Sequence, residues 1–278
     1  FDEKYDFVRW IRKGKYRYQR NFQPFNFDAI QNDYRYKQLA FVEWRNLFNQ
    51  GQLNPIQKQF FEKKAPEALY DVASDPYETN NLANDPKLKD VLNEMRTIMQ
   101  SQMQRINDLS FYPESVMVRE AMKNPSDYGV KKTNEINEMA KIAALQLLPI
   151  SEVEEPLESA LKSSNPWCRY WGCIVASSHV KISQKLTNMI RKMANSDSEP
   201  LVRTRAAEYL GIAQKEDPLP FFKKALKMSN SDVETNLILN SAVLLQDGGF
   251  GHSFKSLTMS DVNFGGRYIE ARISYLSK

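Results

Sequence analysis

The sequence predicts an α+β region followed by an all-helical one, on three observations. Apolar residues alternate near the N-terminus, which marks a strand pair. Helical periods then take over, interrupted by one short strand around Leu69. From about residue 133 onward a helix-opening turn returns at a period of 32 to 34 residues. With 278 residues, 42% hydrophobic and 26% charged, the composition is that of a globular chain of one or two domains with room for a proper core. A net charge of +4 does not by itself call for a nucleic-acid partner. No apolar run approaches the roughly 18 residues that a membrane-spanning helix needs. The chain opens on Phe1 with no initiator Met and no signal segment, so it reads as a piece of something longer.

Residues 6 to 22 are expected to form a β-hairpin, with Val8, Trp10, Tyr16, Tyr18 and Phe22 at alternate positions and Lys13-Gly14 in the turn. A helix is expected from about Asp28 to Gln50. Its stripe is Tyr36, Leu39, Ala40, Trp44, Leu47 and Phe48, and Gly51 ends it. Asn54-Pro55 opens a short helix with Asn as cap and Pro at the first helical position. Leu69-Tyr70-Asp71-Val72 reads as a strand. Asp75-Pro76-Tyr77-Glu78 then reads as a capped helix start, and Asp85-Pro86 as a second. The second opens a long helix with Leu88, Val91, Leu92, Met95, Ile98, Met99, Met103 and Ile106 on one face. The Met-rich stripe Met95, Met99, Met103 is read as packing against the sheet or a further domain. Residues 107 to 132, with Pro113, Pro125 and Gly129, are expected to bridge to the second region.

In that region Ser164-Asn165-Pro166-Trp167-Cys168-Arg169 returns as Ser198-Glu199-Pro200-Leu201-Val202-Arg203 and, more weakly, as Ser231-Asp232-Val233-Glu234-Thr235. Each copy opens an apolar-striped helix. Second helices carrying Leu186, Ile190 and Met193, and Phe221, Phe222, Ala225 and Leu226, lie between them. A helix pair repeated at this period predicts an α-solenoid. The stretch from Pro200 to Gly211 resembles the first helix of a HEAT-like repeat, and the tetratricopeptide pattern is missing. The last thirty or so residues, with Gly248-Gly249, Gly251 and Gly265-Gly266, read as a loop and a capping helix. Cys168 and Cys173 are five apart. On a helix that puts their Cα atoms about 8 Å apart on different faces, too far for a disulfide, so both read as buried thiols.

Three stretches carry a family resemblance. They are Gly14-Lys15-Tyr16-Arg17-Tyr18-Gln19-Arg20-Asn21-Phe22-Gln23-Pro24, Gly51-Gln52-Leu53-Asn54-Pro55, and the run from Leu69-Tyr70-Asp71 through Asp75-Pro76-Tyr77-Glu78 to Asn81-Leu82. In order and spacing they resemble the C-terminal subdomain of sulfatases, most nearly the heparan N-sulfatase (sulfamidase) branch, over residues 5 to 106. The resemblance implies a sulfatase-like α+β subdomain over 1–112, whereas the HEAT-like helical domain over 113–278 rests on the repeat and is not part of the core sulfatase pattern. It also implies a formylglycine nucleophile within a Cys/Ser-x-Pro-x-Arg motif and a calcium ion held by Asp and Asn side chains, with His and Lys completing the site. None of that maps onto this sequence. In Ser164-Asn165-Pro166-Trp167-Cys168-Arg169 the Arg falls one position late, and neither Cys168 nor Cys173 has a trailing Pro. No catalytic and no metal-binding residue is therefore assigned. Calcium and formylglycine are implied for a missing N-terminal sulfatase domain.

The densest charge lies on the hairpin, where Arg9, Arg12, Lys13, Lys15, Arg17 and Arg20 fall within twelve residues that hold no acid. Arginine recognises sulfate by forked hydrogen bonds as it does phosphate. Within the sulfatase frame Arg20, Asn21 and Gln23 are expected at the rim of a substrate cleft, with Lys15 and Arg17 beside them. The plainer reading is a solvated strand face. Interleaved Tyr16, Tyr18 and Phe22 would also suit a nucleic-acid surface, but no binding module is recognisable, and none is assigned. Tyr70 and Asp71 are better read as a core aromatic and a local acceptor than as an acid–base pair, Asp75 and Asp85 as caps, and His179 and His252 as structural or surface residues. The expectation is the C-terminal portion of a periplasmic or secreted sulfatase acting on sulfated glycans, heparan-type for preference, and inactive by itself. The competing expectation is a non-catalytic helical-repeat module for a protein partner or a polyanionic glycan. Under the first reading the N-terminal region should expose an apolar face carrying some of Tyr16, Tyr18, Phe22 and Phe25.

Overall fold

The computed structural model describes residues 6–278. Strand β1 (Val8–Lys13) turns at Gly14, whose φ of +58° a side chain would strain, into β2 (Tyr16–Asn21). Strand β3 (Glu67–Asp71) adds antiparallel to β2, giving a three-stranded sheet in the order β1-β2-β3. The register places Arg9 opposite Arg20 and Arg12 opposite Arg17, like charges that must find acids or carbonyls elsewhere.

The expected helix over 28 to 50 is two pieces, α1 (Asp33–Tyr36) and α2 (Leu39–Asn49). The Asn32 side chain caps α1 by accepting from the Arg35 amide, so the helix cannot start earlier. On α2, Trp44 stacks on Phe60 at 4.5 Å and Phe48 on Phe61 at 4.4 Å. Gly51 ends α2 at φ +70°. Asn54 and Gln57 form a full capping box on α3 (Pro55–Lys58). The helix expected at Asp75 is absent. Glu78 sits at φ +54°, in the left-handed region, and the Asp75 carboxylate accepts from Thr79 Oγ1 (3.2 Å) and the Asn80 amide (2.9 Å), which closes a turn instead. Asp85 does cap, through the Lys87 amide, a 3₁₀ turn that leads into α4 (Lys89–Arg105). Leu92, Met95, Met99 and Met103 of α4 are buried, and the helix packs on β1 and β2.

The expected bridge is itself folded. It contains α5 (Glu114–Val116), a π turn over Met117–Ala121, and α6 (Pro125–Lys131), with Phe111, Tyr112 and Val116 buried. Then follow α7 (Thr133–Ala144), α8 (Ile150–Leu161), α9 (Pro166–His179), α10 (Gln184–Ser196), α11 (Pro200–Tyr209), α12 (Leu219–Met228), α13 (Asp232–Asp247) and α14 (Arg267–Leu276). The three repeated turns open α9, α11 and α13. These helices stack in sequence, α9 on α11 and α11 on α13, with α8, α10 and α12 alongside. Asn165 caps α9 through the Trp167 amide and Ser231 caps α13 through the Glu234 amide. Arg169 forks onto the Asp197 carboxylate at 2.7 and 2.8 Å, and Arg203 donates to the Asp197 carbonyl at the next turn. The repeated arginine is thus a clasp between successive helix pairs. Burial of nearly all of α11, and of most of α9 and over half of α13, marks them as the spine of the core.

The apolar face expected on the N-terminal region is closed. Tyr18, Phe22 and Phe25 are buried, Tyr16 is half-buried against the core, and Phe7, Phe22, Phe111 and Trp171 form one aromatic cluster with centroids 4.1 to 6.1 Å apart. Trp171 of α9 donates to the Phe111 carbonyl at 2.8 Å. The helical region supplies the cover, so the sheet and the helices share one core.

Candidate functional site

The basic hairpin carries less free charge than its composition suggests. Arg9 forks onto Asp108 at 2.7 and 2.8 Å and also reaches Ser110. Lys13 pairs with Glu94, Lys15 with Asp71 at 2.6 Å, and Arg17 with Glu78. Arg17 also lies over the exposed ring of Trp10, 5.0 Å from its centroid. Arg12 donates to the Gly14 carbonyl. The acids come from α4, from the end of β3 and from the turns at 78 and 108, segments far away in sequence. The Lys15 hydrogen bond holds the Asp71 carboxyl below the usual range, and Asp71 in return raises Lys15. Burial raises Tyr70. Lys15 is exposed, whereas Arg17 keeps 21% of its side chain exposed and burial lowers its guanidinium.

Arg20, Asn21 and Gln23 lie elsewhere. Arg20 is 4% exposed and donates to the carbonyls of Asn21 (3.0 Å), Pro66 (2.6 Å) and Ala143 (3.0 Å) and to Gln146 Oε1 (2.7 Å). Burial pushes its guanidinium down to about 10. Gln146 in turn donates to the Phe22 carbonyl and to Ser178. Asn21 is buried, donating to the Ala65 carbonyl and accepting from Gln19. Arg20 and Asn21 are thus buried rather than exposed at a rim, although Arg20 also lines a cleft between α4, α7 and the sheet. Arg20 ties the sheet to the end of α7, and Asn21 ties it to the segment that precedes β3. Gln23 is 2% exposed, and its Nε2 has no hydrogen-bond partner.

The remaining chemistry-bearing side chains take structural positions. His179 contacts the Leu145 carbonyl at 3.0 Å and His252 the Gly211 carbonyl at 2.9 Å. Cys168 and Cys173 are buried free thiols, Cys168 pushed up to about 12 and Cys173 raised further by complete burial, so neither offers a thiolate. Among the described residues no three His, Cys, Asp or Glu side chains gather as a metal site, and neither thiol sits in a Cys-x-Pro-x-Arg sequence. The residues present do not fit a calcium–formylglycine centre, and no catalytic step is derived from them.

Two clefts remain. One, of 160 Å³, lies between α4, α7 and the sheet and is mostly apolar, with Met99, Met103, Ile136 and Ala140 on its walls and Arg96 at its edge. The other, of 380 Å³, opens between α5, its π turn, α13 and α14. It adjoins a water-sized inner cavity bounded by Gln23, Asn240 and Arg272. Sequence reasoning missed both, because their walls come from segments more than 100 residues apart and no local pattern marks them.

No protein-family model matches the chain, and no solved structure matches it. The chain is 34% identical over 119 residues to an ulvan-active sulfatase of Formosa agariphila, a stretch covering 42% of this chain and 20% of that protein. The chain thus contains a sulfatase-related region and spans about a fifth of the length of that relative. No helix among the described residues is long and apolar enough to cross a membrane.

Proposed function

We propose that this chain is the C-terminal portion of an exported sulfatase that hydrolyses sulfate from a sulfated polysaccharide. The observation that carries the reading is the 34% identity to the ulvan-active sulfatase, which agrees with the Leu-Tyr-Asp…Asp-Pro-Tyr-Glu stretch at 69 to 78. That relative favours an ester-sulfated polysaccharide. Heparan-type N-sulfate rests on the order of the motifs alone. On this reading residues 1–112 are the sulfatase-like subdomain and 113–278 a HEAT-like solenoid, supported by the stacking of α9, α11 and α13 at the repeat period. A preceding N-terminal domain would supply the formylglycine and the calcium ion. Lys15 and Arg17 are the groups here placed to meet a sulfated chain, by exchanging Asp71 and Glu78 for sulfate oxygens.

The test is sulfate release from ulvan and from heparan sulfate by the whole protein and by this chain alone. The reading expects release by the whole protein, suppressed when the Cys or Ser of an upstream Cys/Ser-x-Pro-x-Arg motif is replaced by Ala, and none by this chain. A parent protein with no such motif and no release would refute it. One observation favours a second reading, a non-catalytic module: Tyr18, Phe22 and Phe25 are covered by the chain's own helices. That module would bind a protein partner or a polyanionic glycan without hydrolysing it.

A further inference from the structure

We propose that the cleft between α5, α13 and α14 is a binding site for a neutral sugar. The argument starts at its inner end. The cavity there measures 20 Å³, room for one oxygen-sized group, and shares Leu237, Asn240 and Arg272 with the 380 Å³ cleft outside. Two buried polar atoms on residues that bound it have no partner, the donor Gln23 Nε2 and the acceptor Asn240 Oδ1. A group that satisfies both must accept one hydrogen bond and donate another. A hydroxyl does so. A sulfate or carboxylate oxygen has no proton to give, and an ammonium has no lone pair to accept with. Leaving such atoms unpaired is costly, so the site takes a group that both donates and accepts, a water in the free protein and a sugar hydroxyl in its place when ligand binds.

The outer cleft extends the same chemistry. Tyr268 of α14 borders it with its ring 61% exposed, a free face for the C–H side of a pyranose. Val118 and Met122 add apolar wall opposite. Asn236, one helical turn before Asn240, continues the line of amides towards the mouth. Glu114 and Asp232 are also on the wall, against a single cation, Arg272, which is already engaged with the Gln31 carbonyl at 2.8 Å. An anionic ligand would meet two carboxylates, so the site disfavours a sulfated residue and suits an unsulfated one. The cleft lies apart from the hairpin that carries Lys15 and Arg17, and the inference does not depend on the sulfatase reading.

The test is saturation-transfer NMR on the full chain with methyl β-D-glucoside, methyl β-D-galactoside and methyl β-D-xyloside, and with glucose 6-sulfate as the charged comparison. Saturable millimolar binding of at least one neutral glycoside is expected. Tyr268→Ala should weaken it roughly five- to tenfold by removing the stacking face. Asn240→Leu should weaken it about three- to tenfold by removing the acceptor. Tyr268 is exposed enough that its variant should melt like the parent, which keeps the test valid if Asn240→Leu does not fold. Absence of saturable binding by all three glycosides would overturn the proposal: the inner cavity would then hold only a water. Binding that both folded variants retain in full would overturn it as well, and so would tighter binding of glucose 6-sulfate through Tyr268.

Discussion

Replacing Arg20 by Met removes the joint between the sheet and the helical region while keeping most of the side-chain bulk. Four acceptors lose their donor: the carbonyls of Asn21, Pro66 and Ala143, and Gln146 Oε1. Hydrogen bonds to a charged donor contribute about 1.5–3 kcal/mol each, so the gross loss is on the order of 6–12 kcal/mol. Against this, the variant no longer buries a guanidinium. Burial lowers the Arg20 guanidinium to about 10, and at about 1.4 kcal/mol per pKa unit the relief is on the order of 3 kcal/mol. The net loss should be about 3–9 kcal/mol, large for a single substitution because four acceptors lose a charged donor. Urea unfolding followed by circular dichroism reads it as a lower midpoint with the slope unchanged. Lys15→Ala is the control: its ammonium is exposed and should leave the midpoint where it is, while weakening adsorption to heparin or ulvan if the hairpin meets polyanions. An Arg20→Met variant within about 1 kcal/mol of the parent would refute the structural assignment and return Arg20 to the list of ligand-facing groups.

Two further outcomes follow from particular contacts. Glu199, at the start of α11, is raised to about 7, first by burial and next by Glu234. Its charged form is disfavoured in the fold, so stability falls as pH rises from about 4.5 to about 7. Glu199→Gln should therefore stabilise the chain at pH 8 by about 1–2 kcal/mol, after a discount for partial exposure, and by nothing at pH 4. A gain that is equal at both pH values would contradict that origin. Gly172→Ala should destabilise by about 1–2 kcal/mol, although alanine is the better helix former. Its Cβ would stand 3.0 Å from Leu161 Cδ2, and Leu161 is itself enclosed and cannot retreat. A raised melting temperature for this variant would show that α8 and α9 can part.

Local signals were legible. The Gly14 turn, the Asn54–Gln57 box and the Asp85, Asn165 and Ser231 caps each involve residues within four positions of one another, and they fall where the sequence places them. The repeat period located α9, α11 and α13, because each helix opens on the same turn chemistry. The Asp75 turn was misread because the cap and Pro signals are common to helix starts and turns, and the left-handed Glu78 that decides between them leaves no mark in composition. Charge state was also out of reach. Six basic residues within twelve look like a polyanion surface, but the acids of four of them lie 56 to 99 positions away, at Asp71, Glu78, Glu94 and Asp108, and only folding brings them to the hairpin.

The sequence by itself marked the hairpin, the capped helix starts at Asn54, Asp85, Asn165 and Ser231, the repeated turns, and the resemblance to a sulfatase, since each is written in contiguous residues. The tertiary structure alone decided that Arg20 and Asn21 are interior and that the segment from Phe22 to Asn32 is buried although it is a loop. Its backbone is satisfied from a distance: Arg272 donates to the Gln31 carbonyl across 241 positions, and Arg45 to that of Ala29. Burial is a property of what covers a residue, and the cover of this loop is drawn from the far end of the chain.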